Sequence, residues 1–127
     1  MKKVLIVDDV NSWLEFHTKF INNVLGEVEL FKANSAKDAY NLIVEHNFKP
    51  FDMIITDLQM ESDYEPLFAG EWLVEQIQRF KNYYKTKIII ISGHPSINLI
   101  AEKFNVDGLS KNTLMSFPQA YEEWLEN

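Results

Sequence analysis

The fold of this chain is decided by the stretch FDMIITDLQM (Phe51–Met60). Its apolar run, residues 53 to 55, is continuous and does not alternate with polar residues, which is typical of a strand buried on both faces of a parallel sheet. Asp57 stands at the carboxyl end of that strand. In an open α/β sheet ligands bind at this end, because the loops that leave the strands form a crevice there.

Two other apolar runs also end in polar residues. Residues 4–7 lead into Asp8 and Asp9, and residues 88–91 lead into Ser92. Because the carboxyl ends of parallel strands lie at one edge of a sheet, we expect three carboxylates and a hydroxyl group at that edge.

Helical patterns separate the predicted strands. We expect strands at 3–7, 28–31, 53–57, 87–91 and 106–109, and helices over 12–26, from 35 to before Pro50, over 70–84, from 95 and, last, through 117–125. Ser12 with Glu15 has the spacing of a capping box at the start of the first helix. Five strand–helix alternations predict one α/β domain, residues 1–127, with a doubly wound five-stranded parallel sheet and helices on both faces.

Composition limits the function classes. The 127 residues include 19 acidic and 12 basic side chains, a net charge of −7. Direct nucleic-acid binding is not expected, because it depends on Lys and Arg neutralising phosphates. No apolar run approaches the roughly 20 residues that cross a bilayer, so no membrane insertion is expected. The absence of cysteine excludes disulfides and thiolate metal sites, and we expect a cytoplasmic protein.

The three carboxylates predict a metal site. Asp8, Asp9 and Asp57 would raise one another's pKa if they stayed together without a cation, because like charges repel. An all-oxygen site with few protein ligands suits Mg²⁺, which keeps several waters and is held by one or two carboxylates plus a phosphate. Ca²⁺ would require more ligands than this edge offers.

An aspartate beside Mg²⁺ is a candidate nucleophile toward phosphorus. Asp57 would form an aspartyl phosphate, whose oxygens need nearby hydrogen-bond donors. Ser92 ends the fourth strand with a hydroxyl group, and Lys111 follows the fifth strand with a mobile ammonium group. Four strand ends would therefore supply the metal ligands, the nucleophile and two donors.

These residues carry a family resemblance. The acidic pair at 8–9, Asp57 in IITDLQM, Ser92-Gly93 after the isoleucine run and Lys111 match, in order and spacing, a response regulator receiver domain of the CheY-like superfamily. The resemblance covers nearly the whole chain. It implies a flavodoxin-like (βα)5 fold and a role in two-component, phosphorelay signalling.

The resemblance also implies roles for individual residues. Asp57 would take a phosphoryl group from a histidine kinase or phosphotransfer protein and so switch binding to a downstream protein target. Asp9 and Asp57 would bind Mg²⁺ directly, Asp8 partly through water, and the backbone carbonyl of Gln59 would complete the protein ligands. Ser92 and Lys111 would bind the phosphoryl oxygens. No turnover of a separate substrate is expected beyond self-phosphorylation from a phosphodonor and slow autodephosphorylation.

Some positions depart from the family pattern. Gly108 stands where an aromatic residue usually reports phosphorylation, three positions before the lysine, and Asn112 replaces a proline. Glu61 also replaces a proline, and the loop that follows is longer than usual. Its acidic residues Glu61, Asp63 and Glu65 are candidates for modulating metal affinity or recognising a partner.

Three further hypotheses concern regulation and assembly. Gln59 and His94 each lie two positions beyond a site residue, and we expect one of them to set the lifetime of the phosphorylated state. An apolar patch around Trp124 is a candidate homodimer or partner face. Because the chain ends shortly afterwards, we expect a receiver that acts without an attached output domain.

Other function classes fit less well. A pseudo-receiver, a binding module that never carries phosphate, is favoured slightly by Gly108 and Asn112 but opposed by the complete set of site residues. An aspartyl-nucleophile phosphatase needs a second Asp two residues after the nucleophile, where Asp57 is followed by Gln59 and Asp8 by Val10. A nucleotide-binding protein would have a glycine-rich phosphate loop after a strand, which this sequence lacks.

Overall fold

The computed structural model describes residues 1–60 and 68–126. The elements follow in the order β1 (Lys2–Val7), α1 (Asn11–Leu25), β2 (Val28–Ala33), α2 (Ala36–Glu45), β3 (Met53–Asp57), α3 (Ala69–Arg79), a 3₁₀ turn (Lys81–Tyr83), β4 (Lys87–Ser92), α4 (Ile97–Phe104), β5 (Asp107–Ser110), α5 (Lys111–Ser116) and α6 (Pro118–Glu126). The strands form one parallel sheet in the order β2-β1-β3-β4-β5. The predicted fold class is confirmed.

Alternate residues of each central strand point to opposite faces of the sheet. In β1, Leu5 and Val7 belong to a core cluster with α2 and α3, whereas Val4 and Ile6 belong to a second cluster with α1, α5 and α6. Both faces of β3 are therefore buried, as its continuous apolar sequence predicted. The polar residues that follow the central strands are left at the carboxyl edge.

Three helix predictions were wrong in detail. The N-cap of α1 is Val10, which makes no side-chain cap, so Ser12 lies inside the helix and forms no capping box there. The third helix ends at Arg79 and is followed by the 3₁₀ turn. The last predicted helix corresponds to α6, and the short helix α5 before it was not predicted. The two are separate because the residue before a proline disfavours helical dihedrals and Phe117 precedes Pro118.

Some local predictions agree with the structure. Gly26 ends α1 with a positive φ of 74°, and Ser35 caps α2 by accepting a hydrogen bond from the backbone N–H of Asp38. Within the described parts of the chain, no helix is long and apolar enough to cross a membrane.

Candidate phosphoacceptor and metal site

Three carboxylates meet at the carboxyl edge of the sheet. Asp8, Asp9 and Asp57 each offer one oxygen atom, and these atoms lie within 4.8 Å of one another. The register between β1 and β3 explains this geometry, because Val7 pairs with Thr56 and the next residues along both strands are Asp8 and Asp57.

The three carboxylates differ in burial and support. Asp8 and Asp57 are buried, at 1% and 5% exposed, whereas Asp9 is exposed. An oxygen of Asp8 accepts a hydrogen bond from the backbone N–H of Val10 at 3.0 Å, and one of Asp57 accepts from that of Leu58, also at 3.0 Å. The backbone therefore orients the two buried carboxylates, while Asp9 faces solvent.

Burial also changes the protonation of the cluster. Burial first, and then the charge of Asp8, raise the pKa of Asp57 to about 7, although the ammonium group of Lys111 opposes this shift. Burial likewise raises the pKa of Asp8. Negative charge is therefore costly here, and a divalent cation would offset that cost. The all-oxygen donor set fits Mg²⁺.

Lys111 completes one side of the site. Its Nζ atom lies 3.5 Å from Oδ1 of Asp57, and its side chain is 22% exposed. Lys111 is the first residue of α5, and Ser110 caps that helix by accepting a hydrogen bond from the backbone N–H of Thr113 at 3.0 Å. The cap fixes the start of the helix and so the point from which the lysine side chain extends.

Ser92 lies on the next strand. It follows Ile91, the β4 residue that pairs with Asp57, and is 1% exposed. Its Oγ atom accepts a hydrogen bond from the backbone N–H of His94 at 3.0 Å. Ser92 is therefore at the expected edge of the sheet, next to the pairing partner of Asp57.

The two residues predicted to set the lifetime of the phosphorylated state have different surroundings. Gln59 is exposed in the turn after β3. The Nδ1 atom of His94 accepts a hydrogen bond from the backbone N–H of Ser96 at 3.0 Å, and its ring meets that of Phe68 at 5.1 Å. His94 is thus held by a hydrogen bond within its own loop and by a ring contact with the residue that precedes α3.

The acidic-loop residues Glu61, Asp63 and Glu65 lie outside the described residues. The candidate patch around Trp124 is partly covered: Trp124 packs against the second core cluster, and Nζ of Lys87 lies 5.5 Å from its ring centroid. The large exposed apolar side chains nearby in sequence are instead Met115 and Phe117. A homodimer face stays a prediction.

The Gly108 departure has a structural reason. A Cβ atom added to Gly108 would lie only 2.7 Å from Cβ of Ala101 on α4. The helix therefore occupies the space that a side chain at this position would need. An aromatic residue cannot take its usual place here without moving α4.

Sequence reasoning missed two residues at the site. Nζ of Lys111 lies 4.8 Å from the ring centroid of Trp13, in the first turn of α1. Gly70 packs beneath Asp57, and a Cβ atom added there would lie 2.2 Å from the Asp57 carbonyl oxygen. A tryptophan four residues after Asp9 and a glycine at the start of a helix were the available signals, and neither is specific alone.

A family of known proteins matches most of this chain. The family model "response regulator receiver domain" matches residues 4–111. No curated protein sequence gives a significant match to the chain.

Many solved structures share the fold. A response regulator receiver domain protein from Clostridium thermocellum has a TM-score of 0.76 at 23% identity, covering 100% of this chain and 93% of its own. The chemotaxis protein CheY4 of Vibrio cholerae has a TM-score of 0.70 at 24% identity, covering 94% and 98%. The receiver domain of Francisella response regulator 1452 has a TM-score of 0.70 at 26% identity, covering 98% and 96%.

Proposed function

We infer the function of this chain from its family, since it belongs to the response regulator receiver domains. We propose that it is a switch whose Asp57 accepts a phosphoryl group in a Mg²⁺-dependent reaction. The observation that carries this proposal is the position of Asp57, at a strand end between two carboxylates and an ammonium group.

In this reaction a phosphoryl group moves from a histidine nitrogen of the donor protein to a carboxylate oxygen of Asp57. The P–N bond of the donor breaks as the new P–O bond forms. The bound Mg²⁺ would supply positive charge that neutralises the carboxylates and the transferred oxygens. Asp9 and Asp57 would hold it directly, with Asp8 through water and the carbonyl of Gln59 as a further ligand.

The remaining residues would act on the transferred group. Lys111 would donate hydrogen bonds to phosphoryl oxygens from its ammonium group, and Ser92 from its hydroxyl group. Lys111 and Ser92 both lie at the edge of the sheet that carries the carboxylate of Asp57. The donor would be a histidine kinase or phosphotransfer protein, the phosphorylated form would bind a downstream protein target, and we place the protein in the cytoplasm.

One experiment tests this function directly. The protein is incubated with Mg²⁺ and acetyl phosphate, and its intact mass is measured. We expect one phosphoryl adduct in the wild type, none in Asp57→Asn and none when Mg²⁺ is chelated. Asp52→Asn is the matched control, because Asp52 is an exposed aspartate before the amino end of the same strand and should not affect the adduct. A wild-type protein without an adduct would instead be a pseudo-receiver.

The lifetime of the adduct is a separate proposal. We expect Gln59→Ala or His94→Ala to change the rate at which phosphate is lost, because both positions follow site residues closely and would position or block water. Unchanged lifetimes in both variants would remove this idea without affecting the assignment of Asp57.

A further inference from the structure

Among the described residues, two groups lie close to the ammonium group of Lys111. On one side is the carboxylate of Asp57, at 3.5 Å, and on the other is the indole ring of Trp13, at 4.8 Å from the ring centroid. Both distances are within the range of direct electrostatic attraction, since a cation within about 6 Å of an aromatic ring centroid interacts with the ring face. Lys111 is therefore shared between an anion and an aromatic ring.

The indole ring is itself held in place. Trp13 meets Phe16 edge to face at 5.6 Å and lies 5.9 Å from the ring of His17. His17 is 2% exposed, and its Nδ1 atom shares a hydrogen bond of 2.8 Å with the hydroxyl group of the buried Tyr121. Trp13 thus rests on an aromatic cluster that joins α1 to α6, and its ring can act as a fixed support for the lysine.

Phosphorylation changes the competition for the ammonium group. A phosphoryl group carries roughly −1.5 to −2 charges and three strong acceptor oxygens, whereas the carboxylate that it replaces carries at most one charge. Hydrogen bonds between ionised partners are stronger than the attraction of an aromatic face for a cation. The phosphoryl oxygens should therefore draw Lys111 away from the indole ring.

We propose that Trp13 is a positioning residue for Lys111, which holds its ammonium group in the unphosphorylated state and releases it when Asp57 carries a phosphoryl group. This inference rests on the proposed function. Because the contact stabilises only the unphosphorylated state, Trp13 opposes the phosphorylated state. Removing the indole ring should favour binding of a phosphoryl group, whereas the loss of a purely structural side chain should weaken it.

The test uses beryllium fluoride, a tetrahedral phosphoryl analogue. It is titrated into the protein in the presence of Mg²⁺, and binding is followed by fluorine NMR. We expect Trp13→Leu to bind it about 2- to 5-fold more tightly than the wild type, which is the fold-change for a cation–π contact of about 0.5–1 kcal/mol. Trp13→Phe keeps a ring with a weaker attraction for cations and should lie between the two. It also keeps an aromatic side chain in the cluster, should Trp13→Leu fail to fold.

Lys111 provides the control. In a Lys111→Met background, Trp13→Leu should leave the affinity for beryllium fluoride unchanged, because the cation on which the indole acts is gone. Equal or weaker binding by Trp13→Leu and Trp13→Phe would overturn the inference, and so would the same tightening in the Lys111→Met background. If the wild type forms no adduct with acetyl phosphate, the proposed function fails. If it forms one and the Trp13 variants bind no more tightly, only this inference fails.

Discussion

At the scale of single residues, Asp57 is a carboxylate whose ionisation opposes folding. Burial and then the charge of Asp8 raise its pKa to about 7, above the usual value of 3.8. The unfolded chain therefore loses this proton at lower pH than the folded chain does. The stability linked to Asp57 is fully present below a pH of about 4 and is lost as the pH rises through about 7.

The direction of this pKa shift leads to a first prediction. At pH 8 without Mg²⁺, Asp57→Asn should raise the free energy of unfolding by about 2 kcal/mol, because a neutral amide replaces a buried charge. The measurement is denaturation at pH 8 and pH 4, and the gain should disappear at pH 4. When the free Mg²⁺ concentration is ten times its dissociation constant, Mg²⁺ should stabilise the wild type by about 1.4 kcal/mol and the variant by much less.

Asp52→Asn is the control for that prediction. Because asparagine can still accept the 2.8 Å hydrogen bond that the backbone N–H of Lys3 donates to Asp52, its stability should stay within about 0.5 kcal/mol of the wild type at both pH values. Should Asp57→Asn prove less stable than the wild type at pH 8, ionised Asp57 would be stabilising the fold, contrary to the geometry of the cluster.

His17 supports a second prediction with the opposite sign. Burial, and secondarily the charge of Lys111, lower its pKa to about 4 from 6.5. Between these two pH values the imidazole of His17 binds a proton in the unfolded chain but not in the folded chain. The stability linked to His17 is present above pH 6.5 and falls as the pH drops toward 4, by about 2 kcal/mol between pH 7 and pH 5.

His17→Gln should remove this part of the pH dependence, because glutamine does not titrate and can still bond to the Tyr121 hydroxyl group. The free energy of unfolding at pH 7 minus that at pH 5 is the quantity to measure. Asn23→Gln, an exposed and non-titrating substitution on the same helix, is the control and should keep the wild-type difference. An unchanged difference in His17→Gln would show that other groups cause the pH dependence.

The residue scale also marks what sequence could and could not predict. Asp8, Asp9 and Asp57 were found because each follows a buried strand, and strand ends converge in this fold class. Trp13 was missed because its contact with Lys111 joins residues 98 positions apart in the sequence. Only the approach of α1 to the start of α5 brings these two side chains together, and no periodic pattern encodes that approach.

At the scale of secondary-structure elements, α3 approaches β3 through Gly70. The backbone N–H of Gly70 donates a hydrogen bond to the carbonyl oxygen of Leu58 at 2.8 Å. A Cβ atom at position 70 would lie 2.2 Å from the carbonyl oxygen of Asp57 and 2.7 Å from Cα of Leu58. Both are backbone atoms of the segment that carries Asp57, so they cannot rotate away.

Gly70→Ala should therefore lower the free energy of unfolding by about 2 kcal/mol or more, as overpacking against a rigid backbone does. It should also slow phosphoryl uptake, because relief of the clash displaces Asp57. Gly93→Ala is the control, since a Cβ atom there meets no atom of the described residues within 4 Å and should change stability by less than about 0.5 kcal/mol. Equal stabilities for the two variants would contradict the close approach of α3 to β3.

Element boundaries show where local sequence signals fail. Ser12 and Glu15 have the right spacing for a capping box, but α1 begins earlier, at Asn11. The carboxylate of Asp8 accepts a hydrogen bond from the backbone N–H of Val10, which fixes the turn into the helix. By contrast, the break before Pro118 follows from a local rule about residues that precede proline, and the sequence already contained that signal.

At the scale of the whole molecule, the sheet separates two flanks of the site. Gly108 lies against α4 in the region of the first core cluster, with no room for an aromatic side chain. Trp13 belongs to the second cluster, with α1 and α6. The aromatic residue that touches Lys111 thus comes from the α1 side of the sheet. The release of Lys111 from Trp13 that we propose would therefore act first on α1 and α6.

The last helix completes the second core cluster. The family model ends at residue 111, yet Tyr121 and Leu125 of α6 are both 0% exposed. Tyr121 stacks on Phe20 of α1 at 4.9 Å in addition to its hydrogen bond with His17. Residues beyond the matched segment therefore contribute to the core and do not form an appended tail.

Deleting residues 118–127 should accordingly abolish cooperative unfolding, because it uncovers the apolar side chains of α1 that α6 covers. Within the full chain, Tyr121→Ala should cost about 3–5 kcal/mol, a large part of the 5–15 kcal/mol that stabilises an ordinary domain. Near-ultraviolet circular dichroism during denaturation measures both effects. Phe117→Ser, at a side chain that is 66% exposed, should change stability by less than about 0.5 kcal/mol. A shortened chain with a sharp unfolding transition would show that α1 packs on the sheet without α6.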